Sequence, residues 1–506
     1  MKRYNKFLIM IGLVTASMTS CHLDEFPTSA ISYQAGNDMF QSIDDVLKFE
    51  NGLNTYFRSI FYGSLTQTGE LMCDGFNATI DYGNNYGGVH RVDNSFTSSN
   101  YDSRDQWSGN YSAIKNYNIF IEQVAKFSSN DAEEMALANM ADGEAHFYRA
   151  FSYMQLVRHF AKAYNSSSAS SDLAVPLVLV YDQEEKPARA TVKQVYDQIK
   201  ADLDVAASKL ASVPGEIGSL YPTIDAVNAL YARYYIDIKD YNNAASYATR
   251  VINSDAGYAL STTVDDMIAE YRNDNGTEPI MQLAATLTEN GSGTNSAYTL
   301  TSKDNKFGIQ FKSYYLPSQK LIDLYKDEDV RFQTWFTNSM YPSVISGAAH
   351  INSYYTFIKY LGNPELTSNG VPNSRQHVKP LLIGEMYMIA AEAYLGAGNT
   401  DAAKAVLNEL QEARGAEVTE ATIEDIQNEW FRETVGEDLR MSCLKRWGVG
   451  YTARTPQPAA LEAGVLMMGA AYGSRSVEAN DHHWAWPVPV YELQINDNLV
   501  QNPGYE

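Results

Sequence analysis

Side chains suited to binding a sugar are concentrated in two irregular stretches of the sequence, residues 74–101 and 307–355. Flat aromatic rings stack on the apolar faces of pyranose rings, while Asp, Asn and Arg side chains bind hydroxyl groups in pairs. The candidate ligand-binding residues combine these types, and they are Asp74, Tyr82, Tyr86, Arg91, Tyr101, Tyr314, Tyr315 and Trp335. Asp74, in the run Cys73-Asp74-Gly75, is the strongest polar candidate. For each tyrosine alone, packing within a loop is at least as good an interpretation.

Motifs that mark common catalytic and cofactor sites are missing from the sequence, which has no G-x-S-x-G, H-E-x-x-H, Walker A or Rossmann fingerprint. His482 and His483 are adjacent, and in an extended run their rings point to opposite sides, so we expect packing rather than metal binding. The run 273–276 weakly resembles a calcium loop, but the EF-hand series of oxygen ligands and its closing Glu are missing. Two of the 61 acidic residues could in principle hydrolyse a glycoside, but no pattern selects a pair. We therefore predict a protein that is not an enzyme and has no catalytic residue, metal or cofactor.

Charge and cysteine content exclude further classes of protein. The 506 residues carry a net charge of −23, and a nucleic-acid-binding protein needs a basic face that this composition does not supply. The three cysteines, Cys21, Cys73 and Cys443, form neither a disulfide framework nor a metal-binding spacing. We expect Cys73 and Cys443 to be buried thiols.

The N-terminus has the pattern of a secretory signal peptide over residues 1–20. Basic Lys2, Arg3 and Lys6 precede an apolar run, 7–16, which is too short to span a bilayer. Small residues then lead into Cys21, as at the end of a bacterial lipoprotein signal. We predict lipidation of Cys21, the alternative being an ordinary cleaved signal with an incidental cysteine. Residues 21–36 are polar and are predicted to be a tether.

Helical periodicity is strongest over residues 133–160, where apolar residues recur on a broad face, as in a helix packed against several neighbours. Further helices are predicted from Ser42 to about Tyr62, with Ser42 as N-cap, from about Arg104, and from Thr191 to Leu210. Trp107 falls on the apolar face of its helix and is expected to be core. These elements have the character of a scaffold.

Two segments, 224–252 and 383–411, share the small and aromatic spacing of tetratricopeptide-like helical hairpins. The matching residues, at one constant offset, are Ala232, Tyr235, Asp240 and Ala244 with Ala391, Tyr394, Asn399 and Ala403. Because the two segments are not tandem, a single uninterrupted solenoid is not expected. Such hairpins bind peptides in many proteins, but here a scaffold role is favoured.

Six blocks of sequence, in order, resemble the SusD/RagB family of outer-membrane nutrient-binding lipoproteins. They are Gly143-Glu144-Ala145-x-Phe147-x-Arg149-Ala150-Phe151-x-Tyr153; Asp172 to Leu177; Leu316-Pro317-Ser318 to Arg331; Lys379 to Ala393; Asp438 to Gly448; and Trp486-Pro487-Val488-Pro489 with Gln501-Asn502-Pro503-Gly504-Tyr505. Two departures are Ala174, where Gly is usual, and Trp430-Phe431, which interrupt an Arg cluster.

The resemblance implies a mainly α fold, in which a tetratricopeptide-like hairpin scaffold carries an interleaved loop-rich ligand-binding lobe. The SusD-like domain would span 37–506, with scaffold segments including 104–253 and 380–448 and a lobe mainly from 63–103 and 254–379. It also implies a lipid-anchored protein on the cell surface of the outer membrane, which delivers oligosaccharides to a SusC-like TonB-dependent barrel. A surface glycoside hydrolase or deacetylase, and a peptide- or protein-binding adaptor, remain as alternatives.

Overall fold

The computed structural model describes residues 38–61, 63–287, 298–367 and 369–505. The predicted signal peptide, Cys21 and the tether lie outside the described residues.

The fold is mainly helical, as predicted. The α-helices are α1 Ile43–Ser59, α2 Thr68–Leu71, α3 Gly87–Arg91, α4 Tyr101–Val124, α5 Ala132–Phe160, α6 Val192–Lys209, α7 Ile224–Asp237, α8 Tyr241–Ile252, α9 Val264–Arg272, α10 Gln319–Ile322, α11 Val330–Trp335, α12 Ile383–Gly396, α13 Thr400–Arg414, α14 Ile423–Glu433, α15 Arg440–Trp447, α16 Pro458–Glu462 and α17 Val490–Ile495.

Helix α5 lies at the centre of the scaffold, and its bounds agree with the predicted span to within one residue. It begins at Asp131, whose carboxylate accepts a hydrogen bond from the backbone N–H of Glu133 at 2.8 Å. Phe147, Phe151 and Met154 are almost completely buried, because α1, α4 and α6 all pack against this helix. The broad apolar stripe in the sequence therefore reflects contact with three neighbours.

The other predicted helices are also confirmed, with small shifts at their ends. Ser42 caps α1, and the carboxylate of Asp45 accepts the Ser42 backbone N–H at 3.0 Å, completing a capping box. Thr191 caps α6 in the same way with Gln194. Helix α4 begins at Tyr101, slightly earlier than predicted, because the side chain of Asn100 caps it.

The two tetratricopeptide-like hairpins, α7–α8 and α12–α13, turn in the same way. Lys239 and Gly398 take positive φ angles of 62° and 82°. The next residue of each turn, Asp240 or Asn399, caps the second helix of its hairpin. Although 130 residues of sequence separate the hairpins, α12 packs directly on α8. The helices α4 to α8, α12 and α13 thus form one stack that is continuous in space, which the sequence did not indicate.

Close approach of the two hairpins depends on a glycine. A β-carbon at Gly396 would lie 2.7 Å from the ring of Tyr241, so only glycine lets this ring of α8 approach the end of α12.

The lobe contains more regular structure than the predicted loops. Its strands, with those of the scaffold, are β1 Phe76–Ala78, β2 Leu173–Pro176, β3 Arg189–Thr191, β4 Pro279–Leu283, β5 Thr299–Asp304, β6 Gly308–Ser313, β7 Tyr315–Pro317, β8 Phe336–Thr337, β9 Ser343–Ile345, β10 Ala348–His350, β11 Thr356–Phe357 and β12 Val378–Leu382. Four of these form a sheet in the order β10-β9-β6-β5, and the remaining pairs are β1-β7, β2-β3, β4-β12 and β8-β11. Pairing of β4 with β12 joins the two ends of the lobe where they leave the scaffold.

Buried ion pairs fasten the lobe to the scaffold. Arg331, on α11, donates hydrogen bonds to Asp329, Glu429 and Glu433, at distances of 2.7 to 3.0 Å. Arg414, on α13, binds Glu278, which precedes β4, and the same Glu433. All of these side chains are at least nine-tenths buried. Because buried charges must be paired to be tolerated, the network fixes the position of the lobe on the helical stack.

Candidate functional site

The loop between β1 and α3, residues 79–86, has an unusual backbone. Gly83, Asn84 and Tyr86 all take φ angles between 55° and 61°, and Val92, just after α3, has φ 49°. Positive φ is rare for residues other than glycine and is an outlier for a β-branched residue such as valine. Strained backbone of this kind is held in place by its surroundings and is concentrated at functional sites.

A hydrogen-bonded group of four side chains lies on this loop, on the end of α3 and on one distant segment. The guanidinium Nη1 of Arg91 donates to the hydroxyl of Tyr82 at 3.0 Å and to Oδ1 of Asn84 at 2.7 Å. The hydroxyls of Tyr82 and Tyr472 lie 3.0 Å apart. We call Tyr82, Asn84, Arg91 and Tyr472 the tyrosine–arginine patch; Arg91 and Tyr472 are half-buried and Asn84 is exposed.

Burial keeps the phenol of Tyr82 protonated. Burial and the hydrogen bond to Tyr472 raise the pKa of Tyr82 to about 12. A phenol that stays protonated can both donate and accept hydrogen bonds, as can the amide of Asn84, while the Arg91 guanidinium donates only. The patch therefore offers both types of partner that a hydroxyl group needs.

Contacts with Tyr315 and close packing around Gly87 fix the position of the patch. The hydroxyl of Tyr315 donates to the backbone oxygen of Asn85 at 2.5 Å, and its ring contacts Tyr82 edge-on with centroids 6.0 Å apart. A β-carbon at Gly87 would collide with Oδ1 of Asn84 and lie 2.7 Å from Nη1 of Arg91. Glycine at this position is thus required for the hydrogen bonds of the patch.

An apolar margin adjoins the patch. The backbone N–H of Ile80 donates to the oxygen of Val465, and that of Met467 donates to the oxygen of Ala78. These bonds hold the segment 465–472 beside the loop and leave Ile80 42% and Met468 70% exposed. Exposed apolar side chains next to polar groups are typical of ligand surfaces.

Three further predicted residues are at least partly exposed. Tyr314 is half-buried, and its backbone oxygen accepts the N–H of Thr79. Tyr86 is also half-buried; its pKa rises to about 12 through burial and the nearby charges of Asp102 and Asp105. Tyr101 is 66% exposed, and the Arg104 guanidinium lies 4.7 Å above its ring.

Asp74 does not lie on this surface, contrary to its prediction as a ligand-binding residue. Its side chain is completely buried, and its carboxylate is paired with Arg440 at 2.9 Å and with Lys320 at 2.8 Å. These cations hold the pKa of Asp74 far below its usual range, against the opposing effect of burial. A carboxylate engaged in this way contributes to structure rather than to binding.

Trp335 and Tyr315 are also buried, with 1% and 0% exposure, so neither ring offers a face to a ligand. The ring of Trp335 is covered by the ammonium group of Lys359 at 3.9 Å and by Tyr271, with centroids 5.5 Å apart. Tyr315 packs against Tyr82 of the patch but is itself inaccessible. Trp107 is buried as predicted, and Cys73 and Cys443 are buried free thiols, also as predicted.

Sequence reasoning missed Tyr472, Asn84 and the methionines beside them. The segment 465–476 is rich in Gly, Ala and Ser and carries Met467, Met468 and Tyr472. This composition is typical of a surface loop and could have been recognised. No sequence pattern, however, indicates that a loop almost 400 residues further along the chain lies against Tyr82.

His482 and His483 differ from expectation in their local backbone. They form a 3₁₀ turn, His482–Trp484, rather than an extended run. The turn brings the two rings together, with centroids 3.9 Å apart, and Asp481 lies within reach of both. The expectation that the two rings point to opposite sides of an extended run was therefore wrong.

No helix within the described ranges is both long and apolar enough to cross a membrane. Residues 23–236 match the model of a family described as starch-binding and associating with the outer membrane. Residues 228–505 match the model of the SusD family. A relative from Formosa agariphila, SusD-like protein P2, is 23% identical over 547 residues, which cover all of both chains.

Solved structures agree with these matches. A SusD superfamily protein from Bacteroides thetaiotaomicron matches with a TM-score of 0.74 and 23% identity, over 91% of this chain and all of the other. A laminarin-binding SusD-like protein matches with a TM-score of 0.68 and 20% identity, over 92% of this chain and all of the other. These likenesses establish the helical scaffold and its interleaved lobe as a known fold. Since the SusD model also matches more than half of the chain, this protein belongs to the SusD family.

Proposed function

We propose that this protein is a cell-surface lipoprotein that binds oligosaccharides at the tyrosine–arginine patch and delivers them to a SusC-like TonB-dependent barrel in the outer membrane. The observation that carries the binding step is the patch itself. Its hydrogen-bonding groups are positioned before any ligand arrives, and an apolar margin with exposed Ile80 and Met468 adjoins them.

Carbohydrate fits this surface better than other ligand classes. The half-buried ring of Tyr472 provides a face for a pyranose, while Arg91 and Asn84 provide a donor and an amide for its hydroxyls. A chain with a net charge of −23 does not attract nucleic acid. Preorganised side chains lose little entropy on binding, which favours recognition of a soluble, weakly apolar ligand.

Laminarin is the first glycan to test, because one structural relative is described as laminarin-binding. Starch is the second, since the family model over residues 23–236 carries that description. Both are glucose polymers, and the patch does not by itself distinguish between their linkages.

A hydrolase is the second candidate function, and one observation favours it. Burial and the nearby charge of Asp105 raise the pKa of Asp102 to about 6, the value expected for a general acid, and Tyr86 adjoins this pair. Binding is preferred because Asp102 lies in the first turn of α4 near the capping residue Asn100 and Arg104 is paired with Asp105. A peptide-binding adaptor is the third candidate, and it would use the helical hairpins.

Binding and hydrolysis are separated by one set of measurements on the mature chain purified in detergent. We expect retarded migration in gels containing laminarin or starch, and no increase in reducing ends after prolonged incubation with either polymer. Release of reducing ends that is lost in Asp102→Asn would favour the hydrolase. Failure to bind any polysaccharide in a broad panel, with binding to peptides instead, would favour the adaptor.

Anchoring and partnership are proposed from the N-terminal pattern and the family resemblance. Each buried CH₂ of a lipid chain contributes about 0.8 kcal/mol, so several chains on Cys21 hold a protein at a membrane without a spanning helix. A protein that covers a barrel as a lid should bury an interface of at least about 1,600 Å².

Fractionation of cells that produce the chain tests both proposals. The wild-type chain is expected in the outer membrane with a lipid-modified Cys21 and, in mild detergent, together with a TonB-dependent barrel. Cys21→Ser is expected to leave the membrane fraction. A wild-type chain that is free in the periplasm with an unmodified first residue would contradict the anchor, and purification without any barrel would contradict the partnership.

A further inference from the structure

Three side chains that could hold a metal ion meet at the turn between residues 481 and 484, apart from the tyrosine–arginine patch. Oδ1 of Asp481 lies 2.6 Å from Nδ1 of His483 and 3.6 Å from Nδ1 of His482. One ligand atom from each of the three residues lies within 4.8 Å of the others, and this is the only such group of His, Cys, Asp or Glu among the described residues.

These separations are close to those of ligands that share one ion. Zinc bonds to imidazole nitrogen and carboxylate oxygen are about 2.0–2.2 Å long, so two ligands of one tetrahedral ion lie about 3.3–3.5 Å apart. The 3.6 Å distance between Asp481 and His482 already suits a shared ion, and the 2.6 Å distance between Asp481 and His483 lengthens on binding through a small rotation of the His483 ring. Two imidazoles with one carboxylate select zinc, nickel or copper over calcium and magnesium, which prefer oxygen.

The surroundings hold these ligands in place. The backbone N–H of His483 donates to Oδ1 of Asp481 at 2.9 Å, which fixes the carboxylate on the turn. His483 is 4% exposed, and its Nδ1 lies 2.6 Å from the same Oδ1, so the buried ring presents this nitrogen to the carboxylate.

The C-terminal segment closes over the two rings. A β-carbon at Gly504 would collide with the imidazole of His482, and the Tyr505 ring lies with its centroid 5.0 Å from that of His482. The buried hydroxyl of Tyr505 has no partner in the part of the chain that the structure describes. The turn and the C-terminus thus form one built unit around the three ligands.

On the other side, Asp481 and His482 form part of the wall of a cleft of about 1330 Å³. An ion bound by three protein ligands keeps at least one position for water or another ligand. The open coordination position of an ion bound here would be accessible from the cleft, because His482 is exposed.

We propose that Asp481, His482 and His483 form a site for a divalent first-row transition metal ion, with Zn²⁺ as the reference ion. Binding through Nδ1 replaces the hydrogen bond between His483 and Asp481 by two metal–ligand bonds, and the imidazole proton moves to Nε2, so the ring stays neutral. The ion stabilises the turn and the C-terminal segment that packs on it. This site is independent of carbohydrate binding at the patch.

Titration of the untagged mature chain with Zn²⁺ after treatment with a chelator tests the proposal. We expect one saturable site per chain by calorimetry, and a thermal midpoint that rises when Zn²⁺ is added. Co²⁺ in place of Zn²⁺ should give the visible absorption bands of a bound ion. His482→Ala should weaken Zn²⁺ binding at least tenfold and still fold, because this side chain is exposed.

Matched histidine variants give the control. His350→Ala, at a half-buried histidine of the lobe, and His22→Ala, next to the lipidation site, should bind Zn²⁺ as the wild type does. The proposal is overturned if the wild-type chain shows no saturable site. It is equally overturned if His482→Ala and the double variant His482→Ala/His483→Ala retain wild-type affinity.

Discussion

Arg331→Met is expected to destabilise the protein by about 3–5 kcal/mol, the range for removing one partner from a buried ion pair. The Arg331 guanidinium is completely buried and binds Asp329, Glu429 and Glu433. Methionine has a similar length but no charge, so the variant leaves these carboxylates buried without this cation. Glu433 keeps Arg414 as a partner, whereas Asp329 has no other cation within ion-pair distance in the described structure.

The loss of stability in Arg331→Met should depend on pH, and the charges of the network determine the direction. Burial alone would raise the pKa of Glu429, but the charges of Arg331 and Arg432 lower it to about 2, from an ordinary value of 4.5. A carboxylate with a lowered pKa stabilises the folded state above its unfolded pKa, and that contribution disappears as pH falls from about 4.5 to about 2. The difference in stability between wild type and Arg331→Met should therefore be largest near pH 7 and should shrink below pH 4.

Urea unfolding followed by tryptophan fluorescence measures this difference. Lys193→Met is the control, because Lys193 is exposed and pairs only with Asp197 one turn away; its effect should stay within about 0.5 kcal/mol. If Arg331→Met does not fold, Arg331→Lys provides a milder test, since it keeps the charge but loses the paired hydrogen bonds. Unfolding midpoints equal to that of the control in both variants would contradict the role assigned to this network.

Tyr472→Ala is expected to reduce oligosaccharide affinity at least tenfold, which corresponds to about 1.4 kcal/mol. The variant removes an aromatic face and one of the hydrogen-bond partners of the Tyr82 hydroxyl, the Tyr472 hydroxyl 3.0 Å away. Arg91→Ala should have an effect of similar size, because Arg91 donates to both Tyr82 and Asn84. Calorimetry with the first glycan that binds the wild type gives the affinities.

A second exposed tyrosine provides the control for that measurement. Tyr56 is 39% exposed on helix α1 of the scaffold, and Tyr56→Ala should bind as the wild type does. If Tyr472→Ala and Arg91→Ala also keep wild-type affinity, the site is elsewhere even though the protein binds glycans.

Local elements of the fold could be predicted from sequence because their causes are local. The apolar spacing of α5, the caps Ser42 and Thr191, and the shared turn chemistry of Asp240 and Asn399 all act within a few residues. The packing of α12 on α8 was not foreseen, because the lobe separates the two helices in sequence and nothing local reports that they meet.

The candidate site was harder to predict, since residue type in a loop does not report burial. Asp74 is of a type that binds hydroxyl groups and lies in a loop-rich stretch, but it pairs with Arg440, 366 residues further along the chain. Tyr314 and Tyr315 are neighbours in sequence, but Tyr314 lies at the bend between β6 and β7 and is half-buried, whereas Tyr315 begins β7 and is buried. The closeness of the two histidine rings could not be predicted, because the residues form a 3₁₀ turn where an extended run was expected.

The most direct test of the proposed binding site is a crystal structure of the protein with the tightest-binding oligosaccharide from the panel. The account predicts a sugar ring in contact with Tyr472, hydrogen bonds from Arg91 and Asn84 to its hydroxyls, and Asp74 and Trp335 still buried and without contact to the ligand. An oligosaccharide bound in the cleft beside His482, or along the helical hairpins, with the tyrosine–arginine patch free, would contradict it.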